Sequence, residues 1–428
     1  MYSYYISFLA LSGPISFRAA TTDEETITKF IFDFLTLFSE VNEEQNEAKV
    51  KILQQNSPEI VQSITELVAK YAEKIPQMNA LSAYFRRLKE GEYFFFIPKE
   101  DLKNIDTSPF NIQLIALSEN KTFEEIKEEM SLFDEVRSNY NLTTFGQVRH
   151  NIGEWDKSKR VCRFCNNNPK NGESLSFDNK AHAISEALGN KKIVLYDECD
   201  SCNSRFARTI EPDMVLFVSL FRTYFKIQAK GGIKDFKDKK FEIRNDEHFT
   251  IEYKSDTPGG EFSLPYSIEL KSSKSFTRQN VYKTFVKYFL SVIDSDQLPY
   301  FRKTIEWING DYHIDELPRI AELLSYHAFT QEPKMMVYIR KSDNRKLPYG
   351  VCEFSFAALV YVFIIPACSE DELTFIDKEE FHTFWSTFKH YSRLPNWQYL
   401  NLSSNNTGTF SLQLNFEKSS NSNLDKDN

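Results

Sequence analysis

Two Cys-x-x-Cys pairs, Cys162-Arg163-Phe164-Cys165 and Cys199-Asp200-Ser201-Cys202, constrain this chain more than any other feature. Two residues between cysteines form a turn tight enough to aim both thiolates at one ion, and two such turns close a tetrahedral sulfur shell. A shell of four thiolates leaves no open position, so an ion held there is structural, and sulfur favours zinc. One pair alone would read equally well as a redox dithiol; two pairs so close together, with Asn-rich turns and basic neighbours, read as a metal frame. The 33 residues between the knuckles exceed the span of a simple ribbon, so something is folded inside the loop. The remaining thiols, Cys352 and Cys368, lie in apolar surroundings and read as packed side chains. This usage points to a reducing, cytoplasmic compartment and a metal, not to a disulfide framework.

The chain has 428 residues, enough for two or three domains. Its net charge of −9 argues against a protein that coats nucleic acid with its whole surface. The charge is uneven, however. Lys157 to Arg244 carries 18 Lys+Arg against 11 Asp+Glu, a balance of +7 that leaves −16 for the rest. The basic block coincides with the cysteine pairs. No stretch approaches the roughly 20 apolar residues that span a bilayer. Met1 to Ala20 has no basic residue ahead of its apolar stretch, and Gly13-Pro14 interrupts it. It reads as a strand over Tyr4–Phe8, not as an export signal.

The fold class read from these patterns is α+β and multidomain. Residues 1–145 read as a mainly helical region for sensing or partner contact. Thr22-Asp23-Glu24-Glu25 and Thr122-Phe123-Glu124-Glu125 are capping boxes, and Ser57-Pro58 places a capping hydroxyl before a proline at the first helical position. Tyr93 to Ile97, ended by Pro98, reads as a buried strand. Residues 146–235 hold the motif, and 236–418 form a mixed α/β region. There Phe249–Tyr253 and Met335–Ile339 read as strands, and Asn280–Ile293 as a helix with Val281, Phe285, Tyr288 and Phe289 inward. The apolar run Phe356–Ile365 reads as one core strand. The polar tail 419–428 reads as disordered.

Inside the cysteine loop runs Asn179-Lys180-Ala181-His182-Ala183-Ile184-Ser185-Glu186-Ala187-Leu188-Gly189-Asn190, and Asn203 follows the second knuckle, opening a helix through Phe206 and Ile210. This order around a cysteine frame resembles the HNH nuclease family in its four-cysteine branch. The family places a His at the end of a first strand, a middle Asn, and a His or Asn just after the second knuckle. Here those positions are His182, Asn190 and Asn203, and the resemblance covers about residues 150–235, a fifth of the chain. It implies a ββα-metal domain that hydrolyses phosphodiester bonds of DNA, with RNA as a second candidate substrate. It implies His182 as general base activating water and Asn203 as a ligand to one catalytic Mg²⁺ or Mn²⁺, beside structural Zn²⁺ on Cys162, Cys165, Cys199 and Cys202. Asn190 is expected to bond loop backbone and orient His182.

The sequence departs from the family's pattern at two places. Ala181 and Ala207 stand where many members carry further metal ligands. Glu186 is the nearest replacement, with Asp200 and Glu211 behind it. Arg160, Arg163, Lys191, Lys192, Arg205, Arg208, Lys230 and Lys234 are candidate phosphate contacts, with Lys157, Lys159, Lys237, Lys239 and Lys240 nearby. Long flanks imply further duties: HNH domains set among such regions serve as effectors in bacterial defence against phage. A trigger, a partner protein or a second copy of the chain would then engage the flanks, and no membrane. The competing reading is a non-catalytic zinc module that binds nucleic acid or protein. A zinc-dependent hydrolase would need an open zinc position, which four thiolates do not leave.

Overall fold

The computed structural model describes residues 1–42, 47–168, 176–229, 232–253 and 266–416. The polar tail and Lys230 lie outside the described residues. The chain is mixed α+β and divides into two compact units, Met1–Leu132 and Phe133–Asn428.

The first unit is built on an antiparallel sheet in the order Gly13–Thr21, Tyr2–Ala10, Tyr93–Pro98, Leu53–Gln55. The run at Phe94–Ile97 does not alternate in polarity because both sheet faces are covered. Phe94 and Phe96 join Phe8, Phe30, Phe34 and Phe85 in one core, beneath helices that include Glu24–Leu37 and Pro58–Tyr71. Phe95 and Ile97 join Leu9 and Leu114, the last from the helix Ser108–Glu119, on the other face. Helices are prominent, but this central sheet is more than the single buried strand and N-terminal strand read from the sequence. The capping boxes differ in outcome. Thr122 caps with Glu125 reciprocally. At the first helix the cap is Asp23, whose carboxylate accepts the N–H of Glu25, so the frame sits one residue later than Thr22.

The second unit has a six-stranded antiparallel sheet in the order Gln398–Leu400, Ile320–Leu324, Leu359–Ile364, Gly350–Ala357, Thr330–Arg340, Tyr140–Phe145. The apolar run read as one strand is therefore two strands with a turn inside it. Phe356 pairs with Leu359, and Ala357 takes a left-handed φ of 53° to reverse the chain. Nothing in composition marks that turn, because both turn residues are buried alanines.

The helix Arg278–Val292 crosses one face of this sheet, with Phe285 against Phe354, Tyr361 and Phe363. It has no solvent face over most of its length: Val281, Tyr282, Phe285, Val286, Lys287, Tyr288 and Phe289 are all fully buried. The cysteine segment covers the side away from the sheet, so one hydrophobic cluster runs from Phe145 through Cys162, Phe206 and Phe285 to Leu402. Residues 146–235 thus share their core with 236–418. The opposite sheet face carries a second cluster, with Tyr338, Phe384, Phe388 and Tyr391. Cys352 and Cys368 are buried free thiols. Among the described residues no helix is long and apolar enough to cross a membrane.

His390 lies stacked on Phe133 and against the rings of Phe388 and Tyr391. Burial pushes its pKa down to about 4. A depressed pKa means the unfolded chain binds the proton more readily, so the stabilisation is present above about pH 6.5 and is lost as pH falls through about 4. Asp371, raised to about 7 by burial, contributes in the opposite sense. The comparison is therefore between parent and His390→Phe. Urea titrations between pH 7 and pH 4 should show the parent losing stability relative to the variant as pH falls. Parallel profiles would remove His390 as the titrating group.

Candidate functional site

The cysteine pairs converge. The ligand sulfurs of Cys162, Cys165, Cys199 and Cys202 lie within 4.8 Å of one another. Cys165 and Cys199 are 3.8 Å apart, far beyond a covalent S–S bond and close to the edge of roughly 3.8 Å that a tetrahedron with Zn–S of about 2.3 Å requires. Backbone N–H groups of Cys199 and Cys202 point at the sulfurs of Cys162 and Cys199, and the Arg205 guanidinium donates to Cys202 Sγ. These are the donors that thiolates need. Hydrogen bonding with Cys162 lowers the Cys199 thiol to about 7, whereas contact with the other three sulfurs raises Cys202. Four thiolates repel one another unless a cation sits among them. The cluster could hold a metal such as zinc.

Inside the frame, the strands Ala181–His182 and Ile193–Leu195 pair antiparallel, with Val194 opposite His182, and the helix Asp200–Thr209 follows. The third strand, His150–Ile152, runs parallel to Ile193–Leu195. The helix is capped by Cys199, so Asn203 sits inside its first turn and does not open it. Asp200, the first helical residue, accepts from Ser176 Oγ, Asp178 N and Asn179 N. Its carboxylate fixes the approach to the His182 strand and is spent there.

Asn190 is buried and uses both ends of its amide. Nδ2 donates to the carbonyls of Ile184 and Ile193, while Oδ1 accepts from the N–H groups of Lys192 and Ile193. It ties the two ends of the inter-strand loop together. These bonds close the loop after His182 on its own backbone, and none of them runs to His182.

His182, Glu186, Asn203 and Glu211 line one open cleft of about 760 Å³, with Lys180, Ser204, Arg222 and Lys234. His182 Nε2 lies 3.2 Å from Glu186 Oε1. Ala181 is buried, so a ligand side chain at that position would start inside the core, whereas Ala207 lines the cleft. The oxygens available to a hard cation are those of Glu186, Asn203 and Glu211, and oxygen donors suit magnesium or manganese. Outside the cysteines, no three His, Cys, Asp or Glu residues gather within 4.8 Å among the described residues.

Behind the cleft lies a buried ammonium that the sequence reading missed. Lys287 Nζ is 3.3 Å from Glu198 Oε2, 3.2 Å from Glu211 Oε1 and 3.3 Å from the His182 carbonyl oxygen. Lys287 and Glu198 side chains are fully buried. Burial alone would lower the pKa of Lys287; Glu198 and Glu211 outweigh it and raise it. Burial raises Glu198 against the pull of the same ammonium. The one available signal was a lysine placed among Phe285, Val286, Tyr288 and Phe289, where a charge must have partners.

The basic residues divide sharply. Arg160 and Arg163, expected at phosphates, are buried. Arg160 donates to the carbonyls of Glu154 and Trp155 and stacks over Tyr196. Arg163 donates to the carbonyls of Leu290 and Ile293, capping the C-terminal end of the buried helix, and faces Asp197 at 3.6 Å. Arg205 holds Cys202 and Asn309, and Asn309 in turn donates to Phe164 O. Lys192 pairs with Glu332. Lys191 and Arg208 are exposed but do not line the cleft. Of the eight candidates, Lys234 lines it; Arg222, not singled out in the sequence, does so as well. No family model, curated protein or solved structure matches this chain.

The buried ammonium gives a double-mutant test. Lys287→Met leaves Glu198 charged and unpaired in the core, which should cost about 3–5 kcal/mol in urea unfolding. Adding Glu198→Leu should restore a large part of that loss, although Glu198→Leu alone destabilises. Additive losses would mean the two side chains do not interact.

Proposed function

We propose that this chain is a metal-dependent endonuclease of the HNH type that hydrolyses phosphodiester bonds of DNA, with structural zinc on the four cysteines. The observation that carries the reading is the shared cleft. His182, Asn203 and two carboxylates face one solvent-open space on a ββα element framed by four sulfurs.

The chemistry follows from the side chains. His182 takes a proton from water near neutral pH, and the Glu186 carboxylate at Nε2 supplies the counter-charge for the imidazolium that results. Asn203 and Glu186 would hold magnesium or manganese, with Glu211 beside them; when bound, such an ion polarises the phosphate and stabilises the leaving oxygen. Asn190 keeps the loop closed, and Lys287 fixes the His182 backbone from behind through its carbonyl. The two metal positions differ in donor chemistry, sulfur against oxygen, so zinc and magnesium would not compete for one site. An anti-phage effector role, with the first unit or the C-terminal residues answering to a trigger, partner protein or second copy, is the wider setting we favour.

A second reading rests on Ala181 and Ala207 and on the lack of a compact carboxylate–histidine cluster among the described residues. In it the zinc frame binds nucleic acid or protein without cutting. One experiment separates the two. Purified chain is incubated with supercoiled plasmid, linear duplex and RNA, with and without Mg²⁺ or Mn²⁺, beside His182→Ala. We expect cation-dependent cleavage of DNA that falls at least 10²-fold in the variant, the range of a general base. Both proteins should carry one zinc per chain by elemental analysis and melt alike, while Cys199→Ser loses the zinc. Equal cleavage by parent and variant would reject His182 as the base.

A further inference from the structure

The cleft at His182 does not end there. A second hollow of about 400 Å³ adjoins it, and the two share Glu211, Arg222 and Lys234 in their walls. The second hollow continues past Thr223 and Phe236 to Lys237 and Lys274. Together they make a groove that starts at the proposed base and leads away from it.

The charges along this groove are unbalanced in one direction. Its acids are engaged: Glu186 with His182, Glu211 with Lys287, and Asp235 with Lys237. Lys237 also pairs with Glu242. Arg222, Lys234 and Lys274 make no ion pair among the described residues. For Arg222 the contrast with its neighbours is sharp. Arg160, Arg163 and Arg205 each place guanidinium N–H groups on carbonyl, amide or sulfur acceptors. Arg222 is half-buried at the junction of the two hollows, and no acceptor within the described protein takes its guanidinium. Burial lowers its pKa, the mark of a cation partly stripped of water. A planar fork of donors without an acceptor, held in a cleft, is a site for an oxyanion. The wall is also held in place. Thr223 Oγ1, one residue along, donates to the Lys234 carbonyl and draws the Lys234 backbone against the Arg222 helix.

We propose that Arg222 grips a backbone phosphate next to the cut, and that Lys234 and Lys274 carry the following phosphates along the groove. This rests on the nuclease reading for the class of ligand, a phosphodiester backbone. Spacing comes from the walls of the groove and not from base edges, so recognition is of backbone and is tolerant of sequence.

The test uses binding, not cleavage. The full chain carrying His182→Ala is titrated, without added divalent cation, into short fluorescein-labelled single-stranded DNA, its duplex, and RNA of the same sequence. Arg222→Ala on that background should weaken binding about tenfold and reduce the slope of log K against log salt by about 1. Lys274→Ala should lower the slope similarly with a smaller loss of affinity. Arg222→Lys should keep the slope while remaining several-fold weaker, because a point charge does not replace the fork. Lys346→Ala, exposed and away from the groove, should change nothing. The probe most sensitive to Arg222 names the substrate. Arg222→Ala binding all three probes as tightly as its parent, with the same zinc content and melting temperature, overturns the proposal. If the wild type cuts DNA in that case, this inference falls alone. If Arg222-dependent binding is found but the wild type cuts nothing, the groove stands and the nuclease reading falls.

Discussion

A lysine with no access to water organises the second unit. The helix Arg278–Val292 is apolar enough to be covered on every side, yet Lys287 sits at its centre. A buried ammonium costs several kcal/mol unless it is paired and hydrogen-bonded. Its three partners come from three elements of one stretch that is distant from it in sequence: the strand that bears His182, the second knuckle through Glu198, and the start of the next helix through Glu211. The cysteine segment must therefore dock on this helix, in one register, for the charge to be satisfied. Arg163 repeats the logic at the helix end, where its guanidinium takes up two carbonyls that have no helical partner. Two cations, one on each partner, make the docking specific in a way that the apolar contacts between Phe164, Phe206 and the helix could not.

The same docking explains what was legible in the sequence and what was not. Local chemistry was legible. The turn of a Cys-x-x-Cys, the Ser57-Pro58 helix start, and the capping box at Thr122 depend on neighbours within four residues, and each took the form its residues prescribe. The fate of individual arginines was not legible. Arg160 and Arg163 lie in a basic run that reads as a phosphate-binding surface, but burial is decided by what packs against it. For Arg163 that is a helix more than a hundred residues away, and for Arg160 it is the rings of Phe177 and Tyr196. Arg222, with nothing in its local sequence to set it apart, is the one left facing the cleft. The turn at Ala357 escaped for a related reason: with both faces of the hairpin buried, no polar residue was needed to mark it.

A related displacement governs the carboxylates. A β-strand alternates its faces, so with His182 toward the cleft, Ala181 points into the core. A charged ligand at 181 would have to be desolvated beside Ile193 and Leu195, unless the strand bulged. The acids that reach the cleft come from positions one helical turn or more from the motif: Glu186 from the short turn after the strand, Glu211 from the start of the helix Glu211–Phe217 that follows the knuckle helix. Neither could be assigned from spacing, because spacing within a motif says nothing about a side chain carried in by the next element.

Glu211 links the buried charge to the open one. Its carboxylate touches Lys287 on one side and lines the cleft on the other. Glu198 meets the ammonium inside the core, where burial raises its pKa against the pull of Lys287, and Glu211 meets it from the cleft wall. An ion or a phosphate-bound cation entering the cleft would then meet a carboxylate that is already held in place, at no cost in side-chain freedom. The buried lysine is in this way part of the site without touching its contents. It sets the His182 backbone, it sets Glu211, and it obliges the cysteine-framed segment to present both on the same side.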